Sequence, residues 1–218
     1  RSRMILLRKI ICSWFLLVMT TSLVAAPMGY KGSVNSMFDV SQHYKKLETN
    51  YAYTAKDAYG IKLYQAKGSH KKVEGSELTY THRFLRVNKP HSQLNFWLFA
   101  NVGYLKTKSN NRTDESFYIS PGVQLDYETK RLYSLVSHQM LRAGSHNFDI
   151  TKLKAGFSFY ETRYDETQPW FILEISQTND ISEKVEFVPT LRFINKALYF
   201  EAGISTEGDP KLHLMYTF

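Results

Sequence analysis

Charged side chains recur at alternate positions along several segments of this chain. Lys152 and Lys154 share one face of "KLKAGFSFY", and acids and bases hold the same phase in later segments. Acids and bases on one face of a sheet can pair across neighbouring strands, or they can separate into stripes that attract a solute of opposite charge. The sequence leaves both possibilities open for one candidate set: Lys62, Arg83, Asp126, Lys152, Lys154, Glu174, Glu186, Arg192 and Glu201.

Hydrolysis is the other chemistry that the residue types allow, if a histidine met a serine nucleophile. His138 follows Ser137 directly, but neighbours on a strand point to opposite faces, so these two cannot act together. His82 and His213 could meet a serine only across strands, and no motif marks such a serine. Neither the histidines nor the carboxylates show metal-ligand spacing. We therefore predict no catalytic residue, no metal ion and no cofactor.

The segments that must position these residues show the period-2 alternation of β-strands. In "FYISPGVQLDY" the larger apolar residues share one face, and Asp126 lies on the other face with small and polar residues. The pattern predicts an all-β, antiparallel barrel of about 12 strands, with ten as the other possibility. The twelve segments lie near residues 29–39, 44–54, 58–67, 76–87, 91–106, 115–127, 131–142, 147–161, 168–178, 184–193, 196–205 and 210–218.

Aromatic residues are abundant, with 15 Tyr and 14 Phe. Six tyrosines fall near predicted strand ends, where interfacial aromatic girdles are expected. Trp97 and Trp170 fall on the polar phase and could either pack inside the barrel or stack on a sugar. The six girdle candidates are Tyr51, Tyr53, Tyr104, Tyr127, Tyr199 and Tyr216.

Residues 1–26 have the features of a secretory signal peptide. Arg8 and Lys9 precede the apolar run "IICSWFLLVM", which is short for a membrane-spanning helix, and the small residues of "TTSLVAAP" follow. We predict that residues 1–3 lie upstream of the natural start, that cleavage occurs near Ala25 or Ala26, and that residues 27–218 form the barrel; a retained anchor is the alternative. Cys12, the only cysteine, lies in this segment. The predicted mature chain therefore has no disulfide.

The overall charge argues against a nucleic-acid partner. The chain has a formal net charge of +8, and four of its 28 basic residues lie in the first 26 positions. The predicted mature chain keeps 24 basic and 20 acidic residues, a net charge of +4. A mildly basic balance in an exported protein gives little support to nucleic-acid binding.

The last residues, "KLHLMYTF", carry a family resemblance. Leu212, Leu214, Tyr216 and Phe218 alternate up to the final position, and this pattern resembles the C-terminal assembly signal of bacterial outer-membrane β-barrels. The resemblance implies insertion by the barrel assembly machinery and contact with outer-membrane lipids and lipopolysaccharide. It also implies that the polar segments "KGSHKKVEGS" and "KTKSNNRTDES" are the two longest outer loops. A soluble lipocalin-like barrel or a β-sandwich is the alternative, but neither its starting motif nor its spacing is present.

A transmembrane barrel of this size predicts three candidate functions. A lumen wide enough to hold water favours a porin-like channel for small hydrophilic solutes in the bacterial outer membrane. By size it is similar to the monomeric porins for acidic oligosaccharides, although no inward arginine ladder is evident. The alternatives are a lipid or lipopolysaccharide hydrolase, and a closed barrel with a structural or adhesive role.

Overall fold

A computed structural model describes residues 27–68, 71–109, 112–144, 146–163, 165–179 and 182–218. The predicted signal peptide lies outside these residues. Within them the chain forms twelve strands: β1 (Val34–Ser41), β2 (Tyr44–Ala52), β3 (Asp57–Lys67), β4 (Lys71–Lys89), β5 (Ser92–Ser109), β6 (Arg112–Thr129), β7 (Leu132–Ala143), β8 (His146–Ser158), β9 (Gln168–Thr178), β10 (Ser182–Asn195), β11 (Leu198–Ile204) and β12 (Pro210–Thr217).

The strands form one closed antiparallel barrel, as the sequence predicts. Each strand pairs with its neighbours in chain order, and β12 pairs with β1 to complete the ring. The closure continues past the last strand, because the backbone N–H of Phe218 donates to the carbonyl of Val34 at 2.8 Å. The sheet therefore has no unpaired edge, which is the usual hazard of an exposed strand.

The two faces of the wall differ in chemistry. Along β12, Leu212, Leu214 and Tyr216 point outward and are exposed, whereas Met215 and Thr217 point inward and are buried. The same alternation places leucine, isoleucine, valine and aromatic side chains on the outside of the other strands. The inside instead holds buried Asn, Thr, Ser, Lys, Arg, Asp and Glu side chains. This is the reverse of a soluble barrel, whose interior is apolar.

The connections between strands lie at two ends of the barrel, which we call the turn end and the loop end. The turn end holds the start of β1, the end of β12 and the connections 53–56, 90–91, 130–131, 159–167 and 196–197. The loop end holds the connections 42–43, 68–70, 110–111, 144–145, 179–181 and 205–209. Within the described residues, no helix is long and apolar enough to cross a membrane.

The two polar segments expected to be the longest loops are mostly strand. β4 begins at Lys71, β5 continues to Ser109 and β6 begins at Arg112. Polar cross-strand contacts support these extensions on the outer face, including Gln65 Nε2 to Glu74 Oε1 at 3.0 Å and Lys106 Nζ to Glu115 Oε1 at 2.7 Å. The prediction of two long loops was wrong, because backbone pairing continues beyond the part of the wall whose outer face must be apolar. The alternation of apolar and polar residues in the sequence therefore ends before β4, β5 and β6 do.

Aromatic residues surround the turn end on the outer face. Tyr59 stacks against Tyr53 at 5.0 Å between ring centroids, and Tyr216 contacts Phe218 edge-on at 4.7 Å. Phe84 with Phe96, Phe157 with Phe159, and Phe193 with Phe200 extend this girdle around the barrel. Tyr199 is the exception among the six predicted residues, because it points inward and is buried against the other lumen side chains.

Candidate functional site

All nine predicted charged residues lie on the inward phase of the wall. They do not separate into an acidic stripe and a basic stripe, because most of the charges are paired with each other. Two clusters of ion pairs are centred on Glu201 and on Glu77. Asp126 differs from them, because neutral donors bind its carboxylate.

The cluster around Glu201 joins four strands. Lys154 Nζ lies 3.0 Å from Glu174 Oε2 and 3.0 Å from Glu201 Oε2. Arg192 approaches the other oxygen of Glu201, with Nε at 2.9 Å and Nη2 at 2.8 Å. Charge pairs of this kind, with extra hydrogen bonds, are what makes buried ions tolerable in a low-dielectric interior.

Arg192 is also enclosed by aromatic rings. Its guanidinium carbon lies 4.1 Å from the centroid of the Tyr133 ring and 5.0 Å from that of Tyr199. Both rings offer the cation a favourable electrostatic surface. The arginine spans from β10 to side chains of β7 and β11, so it fills space inside the lumen instead of lining an open wall.

The Glu77 cluster lies on the β3–β6 side of the lumen. Lys62 forms an ion pair with Glu77, the hydroxyl of Tyr118 donates to Glu77 Oε1 at 2.6 Å, and Asn101 Nδ2 donates to Glu77 Oε2 at 3.1 Å. Both carboxylate oxygens of Glu77 therefore have partners. Gly103 makes the arrangement possible, because a Cβ at this position would lie 2.6 Å from the Tyr118 ring.

Asp126 is buried among neutral donors. Trp97 Nε1 donates to it at 2.6 Å, Asn95 Nδ2 at 2.7 Å and Gln124 Nε2 at 3.2 Å. No cation of the described residues forms an ion pair with Asp126. These hydrogen bonds satisfy the carboxylate without a counter-ion.

The sequence reasoning missed a further inward network on β12, β1 and β2. His213 contacts Asp39, and Lys46 Nζ lies 2.7 Å from Asp39 and 3.5 Å from Glu48. Lys211 of β12 forms an ion pair with Glu186 of β10. The strand phase could have identified Lys46 and Lys211, since both alternate with outward leucines at Leu47 and Leu212.

The lumen is filled at the turn end, and on the β4–β7 side a buried apolar cluster also fills it toward the loop end: Val73, Leu105, Tyr118, Leu141 and Ala143. Trp97 and Trp170 are 0% and 1% exposed, and Arg192 is 1% exposed. Met28 packs against Trp97 from the segment before β1. We call Met28, Trp97, Trp170 and Arg192 the floor. Both tryptophans therefore pack inside the barrel and present no free ring face to a sugar.

On the side formed by β1, β2, β8 and β12, the inward residues nearer the loop end are more open to water. Lys152 and Tyr44 are exposed although both face the lumen, and Asp39, Lys46 and His213 are partly accessible. Lys152 interacts electrostatically with Glu174 on the adjacent strand and with Asp39 across the lumen. We call these five residues, Asp39, Tyr44, Lys46, Lys152 and His213, the vestibule.

Three histidines of the described residues contact carboxylates or a threonine hydroxyl. Among the described residues, His82 Nδ1 lies 2.7 Å from Asp57, His138 Nδ1 lies 2.9 Å from Thr151, and His213 contacts Asp39. No serine hydrogen-bonds a histidine in this part of the chain. The described residues also hold no group of three or more His, Cys, Asp or Glu side chains that could bind a metal ion.

Comparisons with known proteins identify the fold but no family. No family model matches the sequence, and no curated protein matches it. The β domain of the Bordetella autotransporter BrkA is similar in structure, with a TM-score of 0.52, 12% identity, and coverage of 85% of this chain and 97% of that one. The KdgM porin gives a TM-score of 0.49 at 9% identity, covering 85% and 99%. OmpT of Vibrio cholerae, with its loop L8 deleted, gives 0.35 at 8% identity, covering 86% and 97%. The chain thus has the closed antiparallel barrel fold of outer-membrane β-barrel proteins.

Proposed function

We propose that this protein is a bacterial outer-membrane barrel that admits small hydrophilic solutes through a lumen whose floor opens and closes. The observation that carries the proposal is the inverted wall, with an apolar outer face and an inner face of charged and polar side chains. An interior of this kind suits water and ions, whereas the outer face suits hydrocarbon.

The outer face supports the membrane location. A closed sheet leaves no backbone group unpaired at an edge, which hydrocarbon requires. The aromatic girdle at the turn end is placed where tyrosine and phenylalanine settle between hydrocarbon and water. Toward the loop end of the outer face, Tyr104 and Phe117 contact each other two residues from the charged pair of Lys106 and Glu115. These features support a band of hydrocarbon between two interfaces.

The C-terminal strand supports assembly by the barrel assembly machinery. Leu212, Leu214, Tyr216 and Phe218 all point outward and are exposed, so they are available to a partner before the barrel closes. Export by the predicted signal peptide, residues 1–26, is part of the same proposal. In the usual orientation of such barrels, the turn end faces the periplasm and the loop end faces outward.

The vestibule supports passage of small solutes. Twelve strands enclose more space than the eight whose side chains just fill a barrel. The floor residues close this space at the turn end, so passage requires them to move. Inward acids and bases are mostly paired, and we therefore expect weak selectivity between anions and cations.

A closed barrel with a structural or adhesive role is the second candidate. The near-zero exposure of Trp97, Trp170 and Arg192 favours it. A floor that never opens would leave the vestibule as a blind cavity. The two functions share the fold and the membrane location, so only transport measurements separate them.

Planar-bilayer conductance of the refolded residues 27–218 tests the proposal. We expect brief, infrequent openings of the wild type and larger, longer openings of Trp170→Ala, because this variant removes a large floor side chain. Leu173→Ala is the matched control, since Leu173 points outward on the same strand and should behave as wild type. Folded wild type and folded Trp170→Ala that both fail to conduct would refute the channel and favour the closed barrel.

A further inference from the structure

A β-bulge in β4 brings two arginines to the same face of the wall. The register between β4 and β5 shifts between Arg83 and Leu85, so that Arg83 lies opposite Trp97 and Arg86 lies opposite Asn95. Trp97 and Asn95 are both inward and buried. Residues three apart on a regular strand face opposite sides, but the extra residue of the bulge turns both arginines inward.

The two residues between the arginines also break the regular alternation of inward and outward side chains. Phe84 and Leu85, which lie between the two arginines, are both exposed on the outer face. Phe84 packs edge-on against Phe96 at 5.9 Å in the aromatic girdle. The bulge is therefore anchored on the outside by apolar contacts while it presents two cations on the inside.

Neither arginine has a negatively charged partner. Arg83 donates to the carbonyl oxygen of Ala55 and lies 5.6 Å from the Trp97 ring centroid. Arg86 donates to Asn88 Oδ1 at 3.0 Å and to Gln93 Oε1. No carboxylate of the residues that the structure describes forms an ion pair with either guanidinium group. The two cations are close enough to repel each other electrostatically.

Two carboxylates of β6, Asp126 and Glu128, face the lumen near the arginines but form no ion pair with them. Asp126 acts on both arginines at a distance, but its oxygens accept from Trp97, Asn95 and Gln124. Glu128, also inward at the turn end, interacts electrostatically with Arg192, and its buried Oε2 has no hydrogen-bond partner among the described residues. The protein thus supplies two adjacent cations and leaves the compensating negative charge to another molecule.

We propose that Arg83 and Arg86 form a binding site for an oxyanion, the carboxylate or phosphate group of a small solute, at the turn-end mouth of the lumen. A guanidinium group presents a planar fork of donors that matches the two oxygens of such a group. Arg86 is exposed at the mouth, so an anion can reach it from the solution at the turn end. The site goes beyond the proposed function, since it binds whether or not the floor opens.

Binding of inorganic phosphate to the refolded barrel in detergent, followed by 31P NMR line broadening at low ionic strength, tests this site. We expect saturable binding that weakens roughly 10- to 100-fold in Arg83→Gln/Arg86→Gln, because two charge-assisted contacts are lost. The single variant Arg86→Gln, at an exposed position, should fold as wild type and lose part of the affinity. Lys45→Gln, which removes an exposed cation from the outward phase of β2, is the matched control and should leave binding unchanged.

Acetate in competition with phosphate separates the two ligand chemistries. Displacement by acetate would identify a general oxyanion site, and phosphate binding that acetate does not reduce would identify a phosphate site. Absence of saturable binding, or equal binding by the wild type and the double variant, would overturn the proposal. Heat-modifiable migration on a gel verifies that each variant is folded. Because binding needs no conductance, failure of the channel would leave this result interpretable.

Discussion

Lys154 Nζ lies 3.0 Å from Glu201 Oε2, although two strands separate β8 from β11 in the ring. The contact therefore crosses the interior as a chord and does not follow the wall. Because Arg192 approaches the other oxygen of the same carboxylate, Glu201 contacts two cations from different strands. The lumen is stabilised by contacts of this kind across its interior.

Removal of the Glu201 charge should be strongly destabilising. Glu201→Gln removes the ion pair of the buried Arg192 and leaves Lys154 with Glu174 alone, and we expect a loss of about 3–5 kcal/mol in the free energy of unfolding. Urea unfolding in detergent micelles, followed by tryptophan fluorescence, measures it. Glu186→Gln is the control, since its more accessible pair with Lys211 should contribute less than about 1 kcal/mol. Equal losses in the two variants would contradict a central role for Glu201.

The vestibule should react with water-soluble thiol reagents applied outside whole cells. The predicted mature chain has no cysteine, so single cysteines can be introduced without background. Lys152→Cys should be labelled rapidly because its side chain is exposed in the lumen. Ile172→Cys, inward on the buried side near the floor, should be labelled slowly. Fast labelling of both positions would mean that the floor does not restrict access.

The extended parts of β4 and β5 should be slow to exchange their amide hydrogens. Val73 and Leu105 are buried in one apolar cluster with Tyr118 and Leu141, and their backbone lies in paired strands. We expect protection well above that of the turn residue Lys56, because paired amides exchange only when the structure opens. Hydrogen exchange read by mass spectrometry gives the comparison. Rapid exchange at both Val73 and Leu105 would contradict the strand extensions and favour the long polar loops that the sequence predicted.

Phe218 should matter for assembly more than for the stability of the finished barrel. Its side chain is exposed outside the barrel and contacts Tyr216. We expect Phe218→Ala to lower the yield of heat-modifiable protein in outer membranes of cells, while the variant refolded in detergent unfolds as wild type. Phe193→Ala, another exposed aromatic of the turn-end girdle, is the control and should assemble normally. Equal yields of the two variants would argue against the C-terminal signal.

The sequence predicted the ring of strands better than the contacts inside it. Strands such as β6 and β12 were predictable because outward apolar residues alternate with inward polar residues, and hydrocarbon on one side enforces that period. The inward phase of Lys154 and Glu201 followed from the same alternation. Their pairing did not, because a contact across the lumen depends on the curvature of the whole ring and on the stagger of strands distant in sequence.

The inward position of Arg86 could not be predicted either. Counting alternate positions from Arg83 places Arg86 outside, and only the bulge reverses the count. Nothing in "THRFLRVNK" marks an extra residue, since neither glycine nor proline is present there. A bulge whose inserted residue is an ordinary aromatic leaves no local signal, and its effect appears only when the partner strand is known.

The closure between β1 and β12 has a topological consequence. Because the order of strands around the ring is the order along the chain, and because Phe218 bonds to Val34, the two ends of the barrel sequence are spatial neighbours. A short peptide joining residue 218 to residue 27 would make the chain circular without disturbing any strand pair. New ends could then be opened in the connection 130–131, and the permuted chain would retain every pairing of the original. Such a chain would end on β6, whose final residues Tyr127 and Thr129 lack a terminal phenylalanine. A circularly permuted chain would thus keep the strand pairs that define the barrel and lose the C-terminal residues that resemble the assembly signal.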